Sequence, residues 1–179
     1  AQASVRKWVK FTSKGEGDKS ELIAAIEADI LKFKIRELFG EAAKLDGFFG
    51  RAQIFIDMGA QEGDELAMPL IIDKAKIKKG SLRKFKVVEP MYTSPATYNA
   101  SNPLDDDYYK PTAWYVMGKK VHASRLISFI SRPVPDMYKP AYNFGGLSMS
   151  QLAKPYVDNW LKARASVARL LRNFSTTAL

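Results

Sequence analysis

The sequence predicts an α+β fold with small mixed or antiparallel sheets, two helices near the N-terminus and one long helix at the C-terminal end. Three observations predict it. Leu22, Ile23, Ile26, Ile30, Phe33 and Leu38 recur at helical spacing near the start. Tyr156, Trp160, Ala163, Val167, Leu170 and Phe174 do the same near the end, stepping by four, three, four, three and four. Between them lie short runs of β-branched and aromatic residues, punctuated by Gly and Pro, which is the pattern of strands and turns.

In order along the chain, Val5, Trp8, Val9 and Phe11 interleave with Arg6, Lys7 and Lys10, and this loose alternation predicts a short strand. The polar segment 12–18 predicts a loop, with Asp18 as N-cap and Glu21 three residues on, close to a capping box. The first helix follows, acidic in its early turns and basic later, in keeping with the helix dipole. A second helix is expected from Ile35 to Leu45, with a bend between the two. Gly47, Phe48, Phe49 and Gly50 then break it, and residues 53–57 read as a strand.

The middle of the chain reads as strands and turns. Residues 59–65 predict a polar loop, 69–72 a short buried strand, and 85–89 a strand stopped by Pro90. Residues 92–109 are expected to be long and irregular, with Tyr92, Tyr98, Tyr108 and Tyr109 anchoring the segment to the surface. Residues 113–117, Val121 and 125–130 then read as adjacent strands. Pro133, Pro135 and Pro140 open a second irregular crossing. Gly145-Gly146 reads as a hinge, and Ser148 with Gln151 forms a capping box for the last helix. Pro155 predicts a kink or a restart there. We therefore divide the chain into an α+β body over residues 1–147 and a long helix over 148–179.

Composition narrows the chemistry. Apolar residues make up 46% and charged residues 26%, so a packed core is expected. Cysteine is absent and there is one histidine, which excludes a disulfide framework, a zinc–thiolate site, a cysteine nucleophile and any mechanism needing two imidazoles. There is no apolar run of about 18 residues of the kind that spans a bilayer. The first residues lack Met and the apolar stretch of a signal peptide, and the last helix has no evident stop, so we expect a segment of a longer chain. Lys and Arg number 28 against 19 Asp and Glu, a formal charge of +9. The densest basic stretch is residues 74–86, with Lys76, Lys78, Lys79, Arg83, Lys84 and Lys86 around a Gly80-Ser81 turn. It reads either as a solvated hairpin whose Lys stems cover apolar surface, or as a contact for DNA or an acidic partner.

Catalytic signatures are missing. Neither Gly15-Glu16-Gly17 nor Gly145-Gly146 matches a phosphate-binding loop, and no Gly-x-Ser-x-Gly elbow occurs. Asp105-Asp106-Asp107 reads as an acidic loop tip, because adjacent carboxylates in a turn point apart and hard cations draw ligands from separate segments. His122-Ala123-Ser124-Arg125 resembles half of a two-histidine phosphoesterase, a chemistry that needs a second imidazole. The alternative is that His122 and Arg125 hydrogen-bond neighbouring groups at a strand start. We expect no catalytic, cofactor or metal site.

Six motifs, taken together, resemble a family. They are Arg6-Lys7-Trp8-Val9-Lys10, Asp46-Gly47-Phe48-Phe49-Gly50-Arg51, Lys76-Ile77-Lys78-Lys79-Gly80-Ser81-Leu82, Trp114-Tyr115-Val116-Met117-Gly118-Lys119, Val121-His122-Ala123-Ser124-Arg125-Leu126 and Tyr142-Asn143-Phe144-Gly145-Gly146-Leu147-Ser148. In that order the chain resembles a group of tailed-phage portal proteins, some of whose relatives are fused to a two-histidine phosphoesterase that defeats a nucleotide-based host defence. The resemblance covers nearly the whole chain, and none of its residues match that catalytic part. It implies a non-enzymatic subunit of a ring, typically dodecameric, at one vertex of the capsid in the virion, assembled in the host bacterial cytoplasm. Double-stranded DNA passes through such a ring during packaging and ejection, and the implied partners are terminase, capsid and tail-connector proteins, with no membrane.

On that resemblance, residues 1–147 would be a wing-like α+β part and 148–179 a helix leading toward a stem. Tyr156, Trp160, Val167, Leu170 and Phe174 would pack onto the β layer, and the long loops would meet neighbouring subunits. The basic residues would face an adjacent subunit or passing phosphate. A stand-alone basic nucleic-acid-binding module, and part of a phosphodiesterase anti-defence protein, are the alternative readings.

Overall fold

In a computed structural model of the chain, the structure describes residues 8–13, 19–59, 63–73, 77–78 and 80–176. The two N-terminal helices are α1, Ser20–Lys32, and α2, Ile35–Phe49. Lys19 begins α1 without a side-chain cap, and the expected cap Asp18 lies outside the described residues. The expected bend falls at Lys34, whose left-handed conformation (φ 51°) reorients the chain and starts α2. α2 continues past Leu45 through Gly47, because burial of Ala42 and Asp46 outweighs the roughly 1 kcal/mol that an interior glycine costs. It stops at Gly50, which is left-handed (φ 83°) and donates its amide to the Asp46 carbonyl at 2.8 Å.

The remaining elements are β1 (Ala52–Asp57), α3 (Gly63–Ala67), β2 (Lys84–Val88), β3 (Thr93–Tyr98), β4 (Pro111–Val116), β5 (Lys119–His122), β6 (Leu126–Phe129) and α4 (Met149–Thr176). They form two antiparallel three-stranded sheets, ordered β2-β1-β6 and β3-β4-β5. β4 and β5 are joined by a tight hairpin in which Met117 (φ 49°) and Gly118 (φ 83°) are both left-handed.

β1 separates two apolar clusters. On one face Ile54 and Ala52 pack with Ala42, Leu38 and Leu45 of α2 and with Phe85, Val87 and Phe129. On the other, Phe55 packs against Leu66, Trp114, Val121, Leu126 and Phe144. A strand covered on both sides has buried residues in succession, so Ala52, Gln53 and Ile54 are all inaccessible.

Several expectations are corrected. Residues 8–11 form no strand; Trp8 instead meets Phe39 edge-on at 5.9 Å, while Val5 lies outside the described residues. The polar loop at 59–65 gives way to α3, whose Leu66 is a core residue. Residues 69–72 form no buried strand: Ile71 and Ile72 are exposed, and the Leu70 amide donates to Ser124 Oγ at 2.7 Å instead of to a ladder. The first part of the expected irregular segment is β3, which pairs with β4 despite register shifts near Thr97. β6 is not adjacent to β4 and β5 but crosses to the first sheet. The switch occurs at Arg125, whose buried guanidinium donates to the Glu65 and Met68 carbonyls, both at 3.0 Å.

The largest correction concerns α4. It runs unbroken through Pro155 from Met149, so the helix does not restart there. Its apolar stripe does not pack on the β layer: Tyr156 is 77% exposed, Trp160 56% and Phe174 71%. Among the described residues it packs chiefly against α2, with Met149 beside Gly47, and most of the helix is exposed.

Candidate functional site

Three surfaces stand out: the root of α4, a basic strand edge, and an apolar cleft between the two sheets. The root is built from polar groups on elements distant in sequence. The Asp46 carboxylate on α2 accepts from the Ser131 amide (3.1 Å) and hydroxyl (2.5 Å), and Arg132 Nη2 lies 3.5 Å from it. Arg132 Nε in turn donates to the Leu147 carbonyl at 2.7 Å, and the Leu147 amide donates back to Arg132 at 2.9 Å. The Gly146 amide donates to the Gly50 carbonyl at 2.8 Å. A Cβ on Gly146 would lie 2.0 Å from the Arg132 carbonyl oxygen, and one on Gly50 would lie 2.0 Å from that of Gly146. Glycine is needed at both positions because two backbones touch there. Ser148 then opens α4: its Oγ accepts from the Gln151 amide and its amide donates to Gln151 Oε1, both at 3.1 Å.

Beside this root lies Arg51, 1% exposed. Its Nη2 donates to Thr93 Oγ1 (2.7 Å) and to the carbonyls of Pro90 (3.1 Å) and Thr93 (3.2 Å), and its guanidinium lies 4.3 Å over the Trp114 ring. Burial pushes this guanidinium down to about 10, so it remains protonated at neutral pH. It ties the start of β1 to the start of β3 and so fixes how the two sheets meet. Sequence reasoning missed the roles of Asp46, Arg51, Thr93 and Arg132, since a polar residue in or beside a turn reads locally as surface and its buried partner lies far along the chain.

Of the expected basic contacts, Lys76 and Lys79 lie outside the described residues. Lys78 and Arg83 are exposed, on either side of a turn in which the Lys78 carbonyl accepts from the Ser81 amide and hydroxyl. Lys84 and Lys86 sit on β2 opposite Asp57 and Phe55, so they share the sheet face that looks toward the second sheet. Lys84 Nζ is 3.8 Å from Asp57. Among the described residues β2 is an edge strand, paired with β1 on one side. Next to it opens a cleft of about 590 Å³, floored by Phe55, Leu66, Val88, Val116 and Val121 and rimmed by Lys86, Lys119, Glu89, Tyr92 and Met117.

His122 makes local hydrogen bonds. Its Nδ1 accepts from the Ser124 amide at 3.2 Å and lies 2.8 Å from Ser124 Oγ. Because Nδ1 accepts from the Ser124 amide it is the unprotonated ring nitrogen, so the Ser124 hydroxyl donates to it, while Ser124 Oγ accepts from the Leu70 amide. Both His122 and Arg125 thus serve local architecture. Among the described residues no group of His, Asp and Glu is arranged to hold a metal ion, and no helix is long and apolar enough to cross a membrane.

No curated protein matches the chain. A family model described as phage portal protein matches residues 1–179. Members of that family are structural components of the capsid vertex. With an α+β body and a projecting C-terminal helix, and with every residue inside the match, the chain belongs to the phage portal protein family.

Proposed function

We propose that the chain forms part of the wall of a portal ring, the conduit through which the phage genome is packaged and ejected and the platform that meets terminase, capsid and tail-connector proteins. One observation carries this reading: α4 is rooted rigidly by buried polar bonds, yet its apolar stripe is uncovered over its length. A helix about 40 Å long at 1.5 Å per residue, apolar on one stripe, needs neighbouring protein.

In this reading residues 1–147 are the wing-like body and 148–179 begin the helical part that leads toward the stem. Gly145, Gly146 and Ser148 set the direction in which the helix leaves. Lys78, Arg83, Lys84 and Lys86 make weak, sequence-blind contacts, with an adjacent subunit or with phosphate, since flexible Lys stems permit sliding that bidentate base readout would resist. Electron microscopy of the full-length protein tests the proposal. Rings with a central hole, close to twelvefold, are expected; a compact monomer at high concentration refutes it.

A further inference from the structure

The apolar cleft and the loop over residues 99–110 lie at opposite ends of one sheet. β3 and β4 pair Thr93 with Val116 at the cleft end and Tyr98 with Pro111 at the loop end. The five steps from Pro111 to Val116 along β4 put about 17 Å between them. A loop at one end cannot reach the cleft at the other within the same chain.

The loop carries a leucine in an unusual setting. Leu104 is 92% exposed, at the tip of a segment braced from within. Asn99 Nδ2 donates to Asp105 (3.0 Å) and Asp107 (2.9 Å), Asn102 Nδ2 donates to Asp105 (2.7 Å), and the Leu104 amide donates to Asn102 Oδ1 (3.1 Å). A chain of ring contacts holds the loop's base: Tyr109 meets Tyr108 edge-on and Tyr98 at a tilt, and Tyr98 reaches Phe144. The tip is therefore a preorganised apolar knob beside three carboxylates, so little ordering is required when it docks.

The cleft has the complementary character. Its floor is apolar, its volume of about 590 Å³ is several times that of a leucine side chain, and Lys86 and Lys119 stand on its rim. Two carboxylates also border it. Asp57 is already engaged, by Lys84 and by the Gly59 amide at 2.8 Å, which leaves Glu89. The local balance favours an acidic partner.

We propose that Leu104 of one copy inserts into the cleft of the next, with Asp106 facing Lys86 and Lys119. This rests on the ring reading above and names the contact between neighbours. A knob at one end of a sheet and a hole at the other make a head-to-tail interface, which gives a ring when the rotation between copies closes, as the ring reading requires. A single knob buries too little to hold a dimer alone, so it sets register within a ring that other contacts also hold.

These 179 residues contain no cysteine, so once any cysteine elsewhere in the full-length protein is replaced by serine an introduced pair reports cleanly. In the full-length protein, Pro103→Cys combined with Met117→Cys should give a ladder of intermolecular products with a short bismaleimide, absent from either single variant. Adding Leu104→Asp, at a position too exposed to affect folding, should abolish the ladder. Lys86→Glu should lower its yield several-fold, and Asp106→Lys in the same chain should restore it. Rings by microscopy without a ladder would overturn this contact and leave the ring reading standing. A ladder indifferent to Leu104→Asp would also overturn the insertion. Neither rings nor ladder would remove both.

Discussion

Gly50 and Gly118 share the same left-handed φ of 83°, but they differ in what a side chain would meet. A Cβ on Gly118 has nothing within 4 Å, whereas one on Gly50 falls 2.0 Å from the Gly146 carbonyl oxygen and 3.2 Å from the Ser148 amide nitrogen. Substitution by alanine therefore costs the left-handed strain alone at Gly118, about 1–2 kcal/mol. At Gly50 the same strain is joined by overpacking, about 1–3 kcal/mol. Pushing the strands apart also breaks the buried Gly146–Gly50 hydrogen bond, about 1–3 kcal/mol more. Thermal unfolding of full-length protein measures the difference. At roughly 2–4 °C per kcal/mol for a domain this size, Gly118→Ala should lower Tm by a few degrees. Gly50→Ala should lower it by about 10 °C or more, or prevent folding. Gly80→Ala, also left-handed (φ 85°) with open space around it, should behave like Gly118→Ala. Equal losses at Gly50 and Gly118 would refute the claim that backbone contact at the α4 root fixes the helix.

Three further outcomes follow from the same geometry. Asp46→Ala leaves the Ser131 amide and hydroxyl without their acceptor and Arg132 without its carboxylate partner, and should cost about 2–4 kcal/mol by denaturant titration, with Asp46→Asn recovering part of it. Arg51→Met should fall within about 1 kcal/mol of wild type, because Thr93 Oγ1 still donates to the Pro90 carbonyl and Asn143 Nδ2 to that of Thr93. Its pH signature is specific. Burial lowers the folded pKa from its ordinary value to about 10, so the charged form is penalised below pH 10 and the penalty is relieved as pH rises above it. The stability of wild type relative to Arg51→Met should thus be flat from pH 7 to about 9 and should increase above pH 10; a slope below pH 9 would contradict this. Ser148→Ala removes the cap of α4 and should cost about 1 kcal/mol, read as faster hydrogen exchange in the helix's first turn.

Local signals were reliable where a residue's role depends on its near neighbours. Helical spacing placed α1, α2 and α4; the pairing of Ser148 with Gln151 placed the cap; and runs of β-branched and aromatic residues located β2 and β4, whereas alternation misread residues 8–11. The resemblance carried by the glycine- and aromatic-containing motifs reached the family. Periodicity failed in the opposite direction as well: the stripe on α4 reads the same whether it is covered by this chain or by another. For the candidate site, the basic residues of β2 were legible as a charge run, but the face they share with Phe55 and the cleft beside it were not.

What the sequence determined by itself is therefore the inventory: an α+β chain with a basic stretch, no two-imidazole or thiol chemistry, and an amphipathic helix at its end. The tertiary structure alone decided that β6 leaves its neighbours for the other sheet, that Arg51 and Asp46 are interior, and that α4 stands free of the body. The physical reason is common to all three. Burial of a polar group, a strand's choice of partner and the covering of an apolar stripe each depend on residues tens of positions away, such as Asp46 with Ser131 and Arg51 with Thr93. Spacing within a single element carries no record of them.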